Sequence, residues 1–130
     1  MEDCVQIIRR LILTTITMVL ISQFAQADTI DGALVDAKKT GKAVMLELGS
    51  VGCIPCEQMK PVMQKLRSTY KGKLEVIFVD VREDHETGNR FRVYMIPTQV
   101  FLDKNGKEFH RHIGYYSYEE IVSLLKKAGL

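Results

Sequence analysis

The chain has 130 residues, with 18 Lys and Arg against 16 Asp and Glu and ordinary apolar and charged fractions. That length suits one compact domain, and the composition excludes a collagen, a disordered chain or a disulfide-dense scaffold. The formal charge of +2 is spread without a basic block, so no nucleic-acid partner is expected. Lys126-Lys127 falls in the last turn of a predicted helix, where cations complement the exposed carbonyls.

Near the N-terminus, Arg9-Arg10 is followed by the apolar run Leu11 to Phe24 and then Ala25-Gln26-Ala27, the order of a secretory signal. The run holds three threonines and is shorter than the ~20 residues that span a bilayer as a helix. A signal over 1–27, cleaved after Ala27, is therefore expected, with an uncleaved membrane anchor as the alternative. The domain 28–130 is exported in either case. Cys4 precedes the apolar run and leaves with the signal, so Cys53 and Cys56 are the cysteines of the mature chain. In an oxidising compartment such a pair persists as a disulfide. A loop this short restricts the unfolded chain little, which makes stability a poor reason for the pair.

Along the mature chain, Thr29 to Lys39 carries Ile30, Ala33, Leu34 and Ala37 at helical spacing and stops at Gly41. Ala43 to Leu48 reads as a strand, broken by Gly49 to Gly52. Met59, Val62, Met63 and Leu66 recur at three- and four-residue intervals, predicting a helix from Pro55 to Tyr70 that Pro61 should kink. Leu74 to Val81 is a buried strand and Glu83 to Tyr94 a short helix. After the break at Pro97, Thr98 to Leu102 and Glu108 to Ile113 flank Asp103-Lys104-Asn105-Gly106-Lys107, a hairpin signal. Ser117 to Ala128 is a last helix, with Ser117 and Glu120 placed as a capping box. The order α-β-α-β-α-β-β-α implies an α/β fold with a central mixed sheet flanked by helices on both faces.

The span from about 30 to 130 resembles thioredoxin. The resemblance rests on Cys53-Ile54-Pro55-Cys56 leading into a helix, Pro61 five residues later, Ile96-Pro97-Thr98 before a strand, the Asp103-Lys104-Asn105-Gly106 hairpin, and Gly114 before the last helix. It implies the thioredoxin fold, a thiol–disulfide oxidoreductase, and a cis Pro97 facing the disulfide. The motif has its own physical logic: two intervening residues put both sulfurs at a helix N-terminus within bonding distance. There the free amides and helix dipole favour a thiolate. Cys53 is the expected nucleophile, forming a mixed disulfide that Cys56 resolves. Ile54 and Pro55 set the turn, and Pro55 needs no donor in the first helical turn.

Glu47 sits inside an apolar strand six residues before Cys53, where the resemblance implies a buried acid. Burial would raise its pKa and suit it to exchange a proton with Cys56; strand alternation also permits an ordinary outward-facing residue. Thioredoxins carry Asp there, so the longer Glu47 places its carboxyl differently. Ile96 and Pro97 read as a client-docking segment, the Ile96 backbone pairing with an extended chain; a simple break before an edge strand is the plainer reading. The tryptophan usual before the first cysteine is replaced by Val51-Gly52, and Ile54 stands for the usual glycine, so the client-facing surface is altered.

His85, His110 and His112 are too far in sequence from the cysteines to suggest a metal site. Glu57 follows Cys56 where haem attachment needs histidine. No cofactor is expected beyond the cysteine pair. Tyr115, Tyr116 and Tyr118 read as a loop packing on the core, with a partner patch as the alternative. Phe78, Phe91, Phe101, Met59 and Met63 read as core. The expected activity is reduction of protein disulfides by an exported monomer, fed by a membrane electron donor. An oxidase or isomerase using the same cysteines is one alternative, and a thioredoxin-fold client-binding module without turnover is the other.

Overall fold

The computed structural model describes residues 30–130. The expected signal over 1–27, its cleavage point, Cys4 and Thr29 lie outside the described residues. Leu34–Leu130 carries the fold as one unit. The elements run α1 (Ile30–Lys39), β1 (Ala43–Gly49), α2 (Ile54–Thr69), β2 (Leu74–Asp80), α3 (His85–Arg90), β3 (Thr98–Leu102), β4 (Glu108–Ile113) and α4 (Tyr118–Lys127).

The sheet has the order β2-β1-β3-β4. β1 and β2 are parallel because α2 carries the chain back between them, whereas β1–β3 and β3–β4 are antiparallel. The sheet is mixed, as the element order implies. The β3–β4 turn is held by Gly106 donating to the Asp103 carbonyl and by the Asp103 carboxylate accepting from the Asn105 and Lys107 amides. A register shift at Phe101/Leu102 marks a bulge where the hairpin leaves the turn.

Every residue of β1 is buried, so both faces of the sheet are covered at its centre. Alternation puts Ala43, Met45, Glu47 and Gly49 on one face. That face meets Met59, Val62, Met63 and Leu66 of α2 and Ile121 and Leu125 of α4 in one hydrophobic cluster with Phe101 and Tyr116. The two helices are also tied at their surface: the Tyr118 hydroxyl donates to Thr69 Oγ1, and Lys65 Nζ lies 3.8 Å from the Tyr118 ring centroid. Ser117 caps α4 in the expected box with Glu120, a device worth about 1 kcal/mol.

Several boundaries differ from the sequence expectation. Gly49 belongs to β1, and α2 begins at Ile54 with Cys53 as its N-cap. The helix continues through Pro61, whose ring removes the amide that would have bonded the Glu57 carbonyl. The expected helix over Glu83–Tyr94 is confined to His85–Arg90. It is capped by the Asp84 side chain, and it ends where Arg92 turns to a positive φ of 51°. Of the aromatics, Phe101 and Tyr116 are core, Phe78 and Tyr118 pack partly buried against it, Phe91 is half-buried and Tyr115 is exposed.

Candidate active site

The C-terminal ends of β1 and β2 and the start of β3 lie side by side, since Gly49 pairs with Asp80 and Leu48 pairs with Thr98. The cysteine motif follows β1 at this end of the sheet. Asp80 holds the intervening loop: its carboxylate accepts from the Val51 amide at 2.8 Å and the Arg82 amide at 2.9 Å. These donors, the Val51 amide first, keep its pKa below the ordinary carboxylate value. Val81 also donates to the Gly49 carbonyl. The turn into α2 is thereby pinned from both sides.

Cys53 and Cys56 form a disulfide with Cα atoms 5.2 Å apart. Their surroundings are unequal. Cys53, the N-cap, is half-buried, while Cys56 is 2 % exposed. The amides of Ile54 and Cys56 lie in the first turn, beyond reach of intrahelical acceptors, and Pro55 has none to offer. Positive potential at this terminus favours a thiolate on Cys53.

Gly49 explains how Cys56 reaches the sheet. A Cβ at Gly49 would stand 3.0 Å from Cys56 Sγ and 3.3 Å from its Cβ, tighter than most packed contacts, so the sulfur would have to give way. Glycine lets the strand backbone approach this sulfur without displacing it. Composition gave no hint of this role, because a glycine after an apolar run looks the same whether it ends a strand or receives a neighbour.

Glu47 lies two residues before Gly49 on the same face, and it is fully buried. The outward-facing reading is therefore overturned. Burial raises its pKa to about 7, opposed by a hydrogen bond from Gln99. Gln99, its register partner on β3, is equally buried, and its Nε2 donates to Glu47 Oε1 at 3.3 Å and to the Gly114 carbonyl at 3.0 Å. Sequence reasoning missed Gln99; the available signal was a second polar residue inside a strand, Thr98 to Leu102, whose pairing with Glu47's strand only the structure shows.

The Ile96-Pro97 bond is cis, Pro97 is buried and Ile96 half-buried. The Pro97 carbonyl accepts from the Gly114 amide at 2.8 Å. Gly114 has φ +94°, a conformation that side chains rarely adopt. These contacts bring the Pro97 segment to the same end of the sheet as the cysteines. Around that end stand exposed apolar side chains: Val51 at 70 %, Ile54 at 75 %, Tyr94 at 88 % and Met95 at 62 % exposure.

His110 and His112 share a face of β4, His112 stacked on Tyr116 at 3.9 Å and His110 within 3.4 Å of the Tyr116 hydroxyl, while His85 begins α3. Among the described residues no three of His, Cys, Asp and Glu gather as a metal-binding group.

Comparison with known proteins agrees with this geometry. Thioredoxin from Staphylococcus aureus strain Mu50 is 27 % identical over 92 residues, covering 71 % of this chain and 88 % of that one. Among solved structures, a poplar thioredoxin h superimposes with a TM-score of 0.64 at 24 % identity, over 73 % of this chain and 86 % of its own. A structure described as a malarial protein gives 0.63 at 23 % identity, over 66 % and 96 %. The fold is that of thioredoxin, and the relatives and close cysteine pair support thiol–disulfide oxidoreductase activity. Residues 30–129 match the model of the thioredoxin-like domain, and the chain belongs to that family.

Proposed function

We propose that the protein reduces disulfides of exported protein clients, using Cys53 as nucleophile, Cys56 as resolving thiol and Glu47 as the proton carrier for Cys56. The observation that carries this reading is the unequal setting of the two sulfurs. One is half-buried at a helix N-terminus, and the other is buried against Gly49 on the face that holds a carboxyl with a pKa of about 7.

In the reducing direction, the Cys53 thiolate attacks one client sulfur. The client S–S bond breaks, and its other sulfur leaves as a thiolate that takes a proton from water. The Cys56 thiol then gives its proton to the Glu47 carboxylate and attacks Cys53 Sγ. The mixed disulfide breaks, the second client thiolate leaves and is protonated, and Glu47 later returns its proton to water. Two electrons and two protons have passed to the client, and Cys53–Cys56 is a disulfide. Ile54 and Pro55 shape the attacking turn, and the Ile96 backbone beside Pro97 pairs with an extended client segment.

Arg9-Arg10 with the run Leu11–Phe24 supports export. Away from cytosolic nicotinamide donors, the disulfide is returned to the dithiol by a dithiol-bearing membrane protein, and the chain works as a monomer with no cofactor besides the cysteine pair. The reducing direction draws support from Pro55 before Cys56 and Ile96 before Pro97, features shared with reducing thioredoxins.

The test is the equilibrium potential of the pair in the full chain, set by graded dithiol buffers and read by thiol trapping and mass spectrometry. A value near about −270 mV fits a reductase, and one near about −120 mV turns the assignment to an oxidase. A client interaction that survives Cys53→Ser with Cys56→Ser would identify a binding module instead.

A further inference from the structure

Glu47 and Gln99 form a buried polar pair with an uneven hydrogen-bond count. The Gln99 amide nitrogen has two hydrogens, and both are used, on Glu47 Oε1 and on the Gly114 carbonyl. Because a carbonyl only accepts, Gly114 fixes which end of the amide is nitrogen. Two acceptors are then left over in a water-excluded place: Glu47 Oε2 and Gln99 Oε1, both buried and without a partner. Each orphan acceptor is costly if it stays unpaired.

One hydrogen supplies what both lack. The two residues stand directly opposite each other on neighbouring strands, so a carboxylic acid proton on Oε2 can point at the amide oxygen while the existing N–H···O bond remains. We infer that Gln99 is the positioning residue for Glu47, its amide nitrogen serving the carboxylate and its amide oxygen receiving the proton of the neutral acid. A carboxyl held this way changes protonation state inside the core with a partner waiting in each state. Without such a partner, one of the two states would be stranded.

Gln99 also links this exchange to the client side. Its other hydrogen goes to the Gly114 carbonyl, and the Gly114 amide donates to the Pro97 carbonyl. A continuous hydrogen-bonded line thus runs from Glu47 to the segment that docks the client. The other ionisable groups toward this face are Cys56 and Arg67 of α2, the latter donating to the Val76 carbonyl, Asp80 two residues beyond Phe78 on β2, the core phenols Tyr70 and Tyr116, and His110 and His112 on β4, His112 lying across from Gln99. From α4, Glu120 is turned to the Ser117 cap. His112 bonds the Tyr115 carbonyl and Asp80 the loop amides, which leaves Gln99 as the polar side chain bonded to Glu47.

This inference rests on Glu47 being the proton carrier, and the experiment separates the two. In the full chain with labelled Glu δ-carbons and Gln side-chain nitrogens, NMR follows Glu47 and the Gln99 amide through a pH titration of the reduced protein. In the unaltered protein the Gln99 signals should shift with the same midpoint as Glu47; Gln99 signals that ignore it overturn the pairing. Gln99→Met removes donor and acceptor at similar volume. Bonds to charged groups are the stronger ones, so the midpoint should rise by about one pH unit. Gln99→Glu should replace the single step by two, because two touching carboxyls share one proton. An unmoved single Glu47 step in either folded variant overturns the inference. If the midpoint moves but the pH profile of mixed-disulfide resolution does not follow it, the pairing stands and the proton-carrier role of Glu47 falls.

Discussion

The interior and the rim of this site invert the usual partition of side chains. Inside, at the centre of the sheet, a carboxyl and an amide are both wholly shielded from water. Outside, at the end of the same sheet, Val51, Ile54, Tyr94 and Met95 stand in solvent. Buried polar groups and clustered exposed apolar groups are the informative departures from ordinary burial. Here they flank one pair of sulfurs, Cys56 facing inward and Cys53 facing outward. Under the proposed mechanism the two regions do different work: the interior handles protons and the rim handles the client chain.

The largest expected effect comes from the sulfurs that join the regions. Cys53→Ser should abolish exchange, whereas Cys56→Ser should still attack and then stall as a mixed disulfide with its client, detected as a covalent adduct on a non-reducing gel. Adducts forming equally with Cys53→Ser would reverse the inward and outward assignments. Next is Glu47→Gln, which should slow resolution by about 10²-fold, the lower range for loss of a positioned proton carrier, as measured by stopped flow on a preformed mixed disulfide.

The same substitution has a stability signature of definite sign. Folded Glu47 keeps its proton to about pH 7, but its ordinary value is 4.5. Between those values the folded state binds more protons than the unfolded chain, so stability falls as pH rises through the interval and levels off above it. A shift of this size corresponds to on the order of 3 kcal/mol. Urea unfolding at stepped pH should show that decline in the unaltered protein and its loss in Glu47→Gln, which should be the more stable protein at pH 8. A decline that persists in the variant would place the titrating group elsewhere.

The two regions were not equally legible. Cysteine spacing, the hairpin turn and the strand and helix periodicities are local signals, so the element order and the outward half of the site could be read along the chain. Glu47 was conspicuous as an acid in an apolar strand, yet its burial was open, because alternation fixes only which neighbours share its face. The choice is made by α2 and α4 covering that face. Gln99 and Gly49 acquire their roles through contacts 52 and 7 residues away in the chain, with Glu47 and Cys56, which no local pattern carries. The overlong helix over Glu83–Tyr94 has a related cause: a polar stretch has little periodicity to mark its end, and the turn at Arg92 is set by the return of the chain to β3.

Gly49→Ala probes the joint between interior and rim with a single methyl group. Its Cβ would enter the space of Cys56 Sγ, and the disulfide leaves that sulfur little room to yield. Overpacking of this kind costs about 1–3 kcal/mol, and denaturant unfolding of the oxidised protein should show it. A variant as stable as the parent would mean that α2 can lift from the strand, and that Cys56 is less firmly seated than its burial implies.

The smallest effect should come from the rim. Ile54 is 75 % exposed in the first turn of α2, beside Cys53, so Ile54→Ser removes little that the fold depends on, and its stability should stay within about 0.5 kcal/mol of the parent. A client that covers this side chain loses part of the 1.5–3 kcal/mol available from burying an aliphatic group, or about 1 kcal/mol for a half-covered one. That predicts a roughly fivefold rise in KM for a protein disulfide, with a smaller change for a short, linear disulfide reagent that cannot reach across the rim. Equal losses with both substrates would mean that Ile54 acts through the sulfur beside it, by shaping the turn at Cys53. A loss confined to the protein client would instead locate client recognition in the exposed apolar rim, and leave the interior pair free to set only the timing of proton transfer.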